Sequence, residues 1–218
     1  VTIRAVLFDL DGTLHDRART VRRYLEGHVR RFSLPEGYAE RWAELDDFGY
    51  RPKAEVFPRL VREFGLKHDP AMLLQDFNDH AWADCQPMPH TLEVLDTLRQ
   101  RGLKLGLVTN GRSDKQRQCL GGLGLDDAFD AVLISEEVGF GKPDPRLYAL
   151  ALDALDRPPS EVLFVGDSPR NDVAGPQAAG MRAAWLPTSH ALPHGVTPDF
   201  VLSDLTDVLK RTEVAPVD

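Results

Sequence analysis

Short, almost uninterrupted apolar runs recur along this chain. They are Ala5 to Phe8, Leu103 to Val108, Ala131 to Ile134, Val162 to Val165, Ala183 to Leu186 and Phe200 to Leu202. A strand with one wet face alternates apolar and polar residues. A strand covered on both faces does not, so these runs predict a parallel sheet buried between helices. Helical periodicity lies between them. Thr91 to Arg101 carries Leu92, Val94, Leu95 and Leu98 and stops at Gly102, and Arg146 to Leu155 stops before Pro158 and Pro159. The alternation predicts an α/β fold with a doubly wound, Rossmann-like parallel sheet.

The stretch from His15 to Met88 breaks this alternation and contains no strong strand. Thr20 to Phe32 places Val21, Tyr24, Leu25, Val29 and Phe32 on one stripe of a helix. Further helical patterns cover Gly37 to Asp47, Ala54 to Phe64 and Pro70 to Ala83. Cys85-Gln86-Pro87-Met88-Pro89 closes the block as a hinge. The predicted organisation is a core of residues 1–14 and 89–218, with an inserted helical domain of residues 15–88.

Composition narrows the partners. The chain has 218 residues, 42% hydrophobic and 28% charged, with a net charge of −8. An acidic protein lacks the basic field of a nucleic-acid binder, and it repels anions at long range, so an anion site must be built locally. No apolar stretch approaches membrane-spanning length, and the N-terminal run reaches Asp9 too soon for a signal peptide. The expectation is a cytoplasmic protein bound to neither membrane nor nucleic-acid polymer. Cys85 and Cys119 show no zinc-ligand spacing and are expected as free thiols.

Four polar features follow four of the strands: Asp9 and Asp11; Thr109-Asn110-Gly111; Lys142-Pro143; and Gly166-Asp167-Ser168-Pro169-Arg170-Asn171-Asp172. Ligands of open α/β sheets bind outside the carboxyl ends of the strands, so all four converge on one edge. Asp9 and Asp11, two apart on extended chain, face one site. Crowded carboxylates split their pKa values unless a cation intervenes, which suits a nucleophile or metal ligand beside an acid/base. Asp167 adds a third carboxylate. Hard oxygen ligands without His or Cys suit Mg²⁺. Thr109 and Asn110, just before a helix start near Ser113, and the ammonium of Lys142 form anion clamps. The inventory fits phosphoryl transfer through an aspartyl phosphate.

At these residues the chain resembles the haloacid dehalogenase superfamily. DLDGT from Asp9, VTNG from Val108, KP at Lys142 and GDSPRND from Gly166 are similar to that family's four motifs, in order. The resemblance implies that Asp9 is nucleophile and metal ligand. It implies that Asp11 is the acid/base and lends its backbone carbonyl to the metal. Thr109, Asn110 and Lys142 would hold phosphate, Asp167 would complete the Mg²⁺ site, and Asp172 would support it and orient Lys142. The helical block resembles the family's small α-helical cap, which closes over the site and selects the leaving group. An acidic residue at Asp11 is similar to the phosphatase and phosphomutase branch rather than the dehalogenase branch.

The expected activity is Mg²⁺-dependent hydrolysis of a small phosphorylated metabolite: a nucleotide, a sugar or sugar-acid phosphate, or phosphoglycolate. A phosphomutase and a non-catalytic binding module are the alternatives. Two local features carry further expectations. Pro176 sits where the helix after the fourth motif should begin, and the helix is expected to survive with a slightly later start. The cluster Arg17, Arg19, Arg22, Arg23, Arg30 and Arg31 reads as a solvated helix face. The histidines fall outside the motifs, and Trp42, Trp82 and Trp185 read as packing residues.

Overall fold

Six parallel strands pair in the order β3-β2-β1-β4-β5-β6 in the computed structural model, which describes residues 2–188 and 191–212. They are β1 (Ala5–Phe8), β2 (Lys104–Thr109), β3 (Ala131–Ile134), β4 (Val162–Gly166), β5 (Arg182–Trp185) and β6 (Phe200–Val201). The α/β parallel fold predicted by the unbroken apolar runs is therefore present. Its cause is visible in β1: Ala5 and Leu7 pack in one cluster with Leu147, Tyr148, Ala151, Val162 and Phe164. Val6 and Phe8 point to the opposite face and are equally inaccessible. The chain steps outward from β1 through β2 to β3, then returns to place β4 on the other side of β1. That reversal makes the carboxyl ends of β1 and β4 the topological switch point.

The chain divides into two units, one of residues 17–86 and the other of residues 1–16 with 87–218. The last residues of the predicted core, 213–218, and Val1 lie outside the described residues. In the helical unit run α1 (Arg17–Phe32), α2 (Tyr38–Asp46), α3 (Lys53–Phe64) and α4 (Pro70–His80). Their apolar stripes meet around Tyr38, Trp42, Phe57, Leu60 and Leu73, all fully buried. The first helix begins three residues earlier than the predicted start at Thr20, with Arg17 anchored on the buried Asp46 at 2.7 Å. The fourth starts where Asp69 caps the N–H of Ala71 at 2.9 Å and Pro70 occupies the first turn.

The sheet unit carries α5 (Thr91–Gln100), α6 (Ser113–Leu123), α7 (Ser135–Val138), α8 (Pro145–Leu155), α9 (Gly175–Ala178) and α10 (Asp207–Arg211). The chain after the fourth motif corrects the expectation of a later start. Helical turns begin early, at Pro169, as a π-helix to Ala174 that runs on into α9. In that wide register Pro176 has no N–H for the carbonyl of Asn171, and the hydroxyl of Tyr148 donates to it instead, at 2.5 Å.

The arginine cluster divides. Arg19, Arg22, Arg23 and Arg30 are exposed, as a solvated face requires. Arg17 and Arg31 instead grip the buried carboxylates of Asp46 and Asp76. Both cysteines are buried free thiols. Among the described residues no helix is long and apolar enough to cross a membrane.

Candidate active site

The site is built on strand ends of the sheet unit. β1 delivers Asp9, whose N–H donates to the carbonyl of Val165 on β4 at 2.9 Å. The next residues fold into a tight turn in which the Leu10 carbonyl accepts from the N–H groups of Thr13, Leu14 and His15. Gly12 occupies the left-handed region there at φ 86°, and its carbonyl accepts the Thr188 hydroxyl at 2.6 Å. This turn separates Asp9, which is buried, from Asp11, which is partly exposed.

Lys142 reaches Asp9 Oδ1 at 2.7 Å and Asp172 Oδ1 at 2.8 Å, and all three side chains are buried. The other oxygen of Asp172 accepts the N–H of Ser168 at 2.9 Å. Asp167 follows β4, and its carbonyl accepts the indole N–H of Trp185 at 2.8 Å. Ligand atoms of Asp9, Asp167 and Asp172 lie within 4.8 Å of one another. Burial, reinforced by Asp172 and Asp167, pushes the Asp9 carboxyl well above its usual range against the pull of Lys142. Burial alone would discharge Lys142, but Asp172 and Asp9 outweigh it and hold the ammonium protonated.

This cluster fits a hard divalent cation. Three buried carboxylates lie together, only two of them on the Lys142 ammonium, the ligand atoms are all oxygen, and a cation beside Asp9 would oppose the burial and repulsion that raise its pKa. Asp9 and Asp167 are the side chains that could hold it. The carboxylate of Asp11 is not part of the cluster, which leaves its backbone carbonyl as the ligand that the resemblance implies.

Thr109 ends β2 and is buried. Asn110 follows it, but its side chain grips the backbone of Lys142: Oδ1 accepts the Lys142 N–H at 2.7 Å and Nδ2 donates to its carbonyl at 2.8 Å. The amide is thus engaged in holding the lysine rather than turned to an anion.

Sequence reasoning missed several partners. His15, outside every motif, is fully buried with Nδ1 at 2.6 Å from Asp11 Oδ1. Gln116 on α6 donates to Asp11 Oδ2 at 3.1 Å. Thr13, Thr188, Tyr148 and Trp185 brace the surrounding backbone and carboxylates. Local signals existed for Thr13, which ends the DLDGT run, and for His15, four residues from Asp11 in a turn closed by Gly12.

A family model described as haloacid dehalogenase-like hydrolase matches residues 3–180. The chain belongs to this family, in its phosphatase branch. A phosphoserine phosphatase of Thermus thermophilus is 46% identical over 121 residues, covering 55% of this chain and 49% of that protein. The pyrimidine 5′-nucleotidase YjjG of Escherichia coli is 32% identical over 85% of this chain and 74% of its own length. A magnesium-bound structure of the hydrolase YfnB from Bacillus subtilis matches in fold with a TM-score of 0.84 at 22% identity, covering 98% of this chain and all of that one. A phosphatase from Thermococcus onnurineus aligns with a TM-score of 0.66 at 29% identity, over 95% and 97% of the two chains.

Proposed function

We propose that this hydrolase cleaves small phosphate monoesters through a phosphorylated Asp9. The observation that carries the proposal is the contact of Lys142 with Asp9 inside a cluster of buried carboxylates, with Asp11 held apart from it. Such an arrangement gives Asp9 and Asp11 different work. Asp9 sits where a phosphoryl group would be neutralised by Lys142 and enclosed by Thr109 and the Asn110 N–H. An oxygen of Asp9 forms the new bond to phosphorus as the bond to the leaving oxygen breaks. The leaving oxygen keeps the electron pair and takes a proton from Asp11. Asp11, now ionised, accepts a proton from the water that hydrolyses the aspartyl phosphate.

Mg²⁺, held by Asp9, Asp167 and the Asp11 carbonyl, would supply charge neutralisation on the phosphate oxygens. Asp172 keeps Lys142 aimed at Asp9. The helical unit is assigned the choice of leaving group.

The substrate class is a small phosphorylated metabolite. Relatives named for phosphoserine, glyceraldehyde 3-phosphate, phosphoglycolate and pyrimidine nucleotides support the class. The test is phosphate release from a panel of these compounds and sugar phosphates, with and without Mg²⁺. Release that needs Mg²⁺ and disappears in Asp9→Asn supports the reading. Full activity of Asp9→Asn sinks it, and isomerised sugar phosphate without free phosphate points to a mutase.

A further inference from the structure

Asp11 is held at both carboxylate oxygens, and the second holder comes from a distant helix. Gln116 sits at the start of α6, yet the residue is only 7% exposed. Its Nε2 donates to Asp11 Oδ2 at 3.1 Å and to the Asn110 carbonyl at 3.2 Å. A buried amide needs such partners, but these two belong to the acid/base and to the residue that grips Lys142. Gly111 leaves room for this reach: a Cβ at that position would fall 2.5 Å from Gln116 Nε2.

We infer that Gln116 is a positioning residue for Asp11, fixing the direction in which its carboxyl faces the leaving oxygen. The inference rests on Asp11 being the proton donor of the proposed reaction. Asp11 is partly exposed, and its carboxyl has rotational freedom unless it is tethered. His15 holds Oδ1 from within the same turn, whereas Gln116 ties Oδ2 to the scaffold that carries Lys142. Proton donor and phosphate-binding ammonium are thereby set relative to each other.

The chemistry gives this role a distinctive readout. In the first step the Asp9–phosphorus bond forms, the leaving P–O bond breaks, and its electron pair is captured by the Asp11 proton. A leaving group stable as an anion needs little of that proton. Phenyl phosphate and p-nitrophenyl phosphate have nearly the same shape and differ in this need.

The experiment measures kcat/KM, which reports through the first phosphoryl transfer, for both esters with Gln116→Met and Gln116→Glu. Gln116→Met fills the space without donors and should lose roughly tenfold more on phenyl phosphate than on p-nitrophenyl phosphate. Gln116→Glu puts an acceptor where the donor was, which draws the Asp11 proton away from the leaving oxygen, and should lose more still on phenyl phosphate. Equal losses on both esters, or none, overturn the inference. A crystal structure of Gln116→Met is the second readout: a turned Asp11 carboxyl supports the role, and an unchanged one overturns it. Wild-type protein inert on every phosphate would fail the proposed reaction, while the Asp11 rotamer would still decide what Gln116 does.

Discussion

Asn110 holds Lys142 by both faces of one residue, accepting its N–H at 2.7 Å and donating to its carbonyl at 2.8 Å. The lysine that neutralises Asp9 is therefore aimed by a side chain from the end of a neighbouring strand. Asn110→Asp keeps the acceptor and turns the donor into an oxygen that faces the Lys142 carbonyl. Displacing a positioned group by about 1 Å costs up to about a hundredfold. The expected result is a kcat lower by about 10- to 100-fold with thermal stability nearly intact, checked by steady-state kinetics beside a melting curve. A loss of Tm without a loss of kcat would contradict it.

Divalent metal should stabilise the protein, and more so at higher pH. Burial and the neighbouring carboxylates raise Asp9, so its ionisation counts against the fold as pH rises through its folded value. Mg²⁺ near Asp9 offsets that cost only where the carboxyl is ionised. At a hundred times its Kd a ligand adds about 2.7 kcal/mol. The Tm gain from saturating Mg²⁺ should be larger at pH 8 than at pH 5, and EDTA should remove it. Calorimetry at the two pH values measures this, and a gain that falls with pH would refute it.

Gly166 should tolerate no side chain. A Cβ there would collide with the side chain of Asp172, which holds Lys142 and the Ser168 N–H. Gly166→Ala is expected to lower kcat by about a hundredfold or more, since it displaces a buried partner of the site lysine. Tyr148→Phe is a milder control on the same segment. It removes one hydrogen bond, to Asn171, and should cost about 1 kcal/mol in denaturant unfolding with a smaller kinetic effect.

The helical unit carries its own acid sensitivity. Burial opposes ionisation of Asp76, but hydrogen bonds from Arg31, His28 and Tyr24 prevail and hold it at about 2. Burial lowers His28 below its ordinary value. Both shifts have one sign. The contribution of neutral His28 is present above about pH 6.5 and is lost as pH falls toward its folded value. That of Asp76 is present above about pH 4 and is lost as pH falls toward 2. Acid should therefore destabilise this unit in two stages. Asp76→Asn should cost about 3 kcal/mol at pH 7 and flatten the lower stage. Urea unfolding from pH 7 to pH 3 tests both, and an unchanged acid limb in the variant would refute the assignment.

The strands were legible because parallel pairing buries both faces, and a run such as Val162–Val165 has no other reason to lack polar residues. Asp9 was legible because an unusual residue pair stood directly after such a run, and Lys142 because a Lys-Pro pair followed the third run within eight residues, beside the other three polar features. His15, Gln116 and Tyr148 were not. Each is one polar residue in a turn or on a helix, where hydrogen bonding to water would serve equally well. Only the approach of a distant segment gives it a partner, and no local period encodes that approach. Asn110 illustrates the middle case: its position was readable, but the direction of its amide was set by Lys142. The π-helix from Pro169 was also hidden, since Pro176 argues locally for a late start and the hydroxyl that compensates comes from α8.

The central place of β1 has a consequence during synthesis. Its partners are Lys104–Leu107 on one side and Val162–Val165 on the other. At ribosomal rates of about 5–20 residues per second, a nascent β1 waits on the order of ten seconds for its second neighbour. The helical unit needs only residues 17–86 for its own core, so it is complete in the emerging chain while β1 still lacks both partners. Asp9 and Asp167 meet only after that wait. A chain interrupted before β4 would present an unpaired apolar strand edge to its surroundings, with Asp9 attached to it and Asp167 missing.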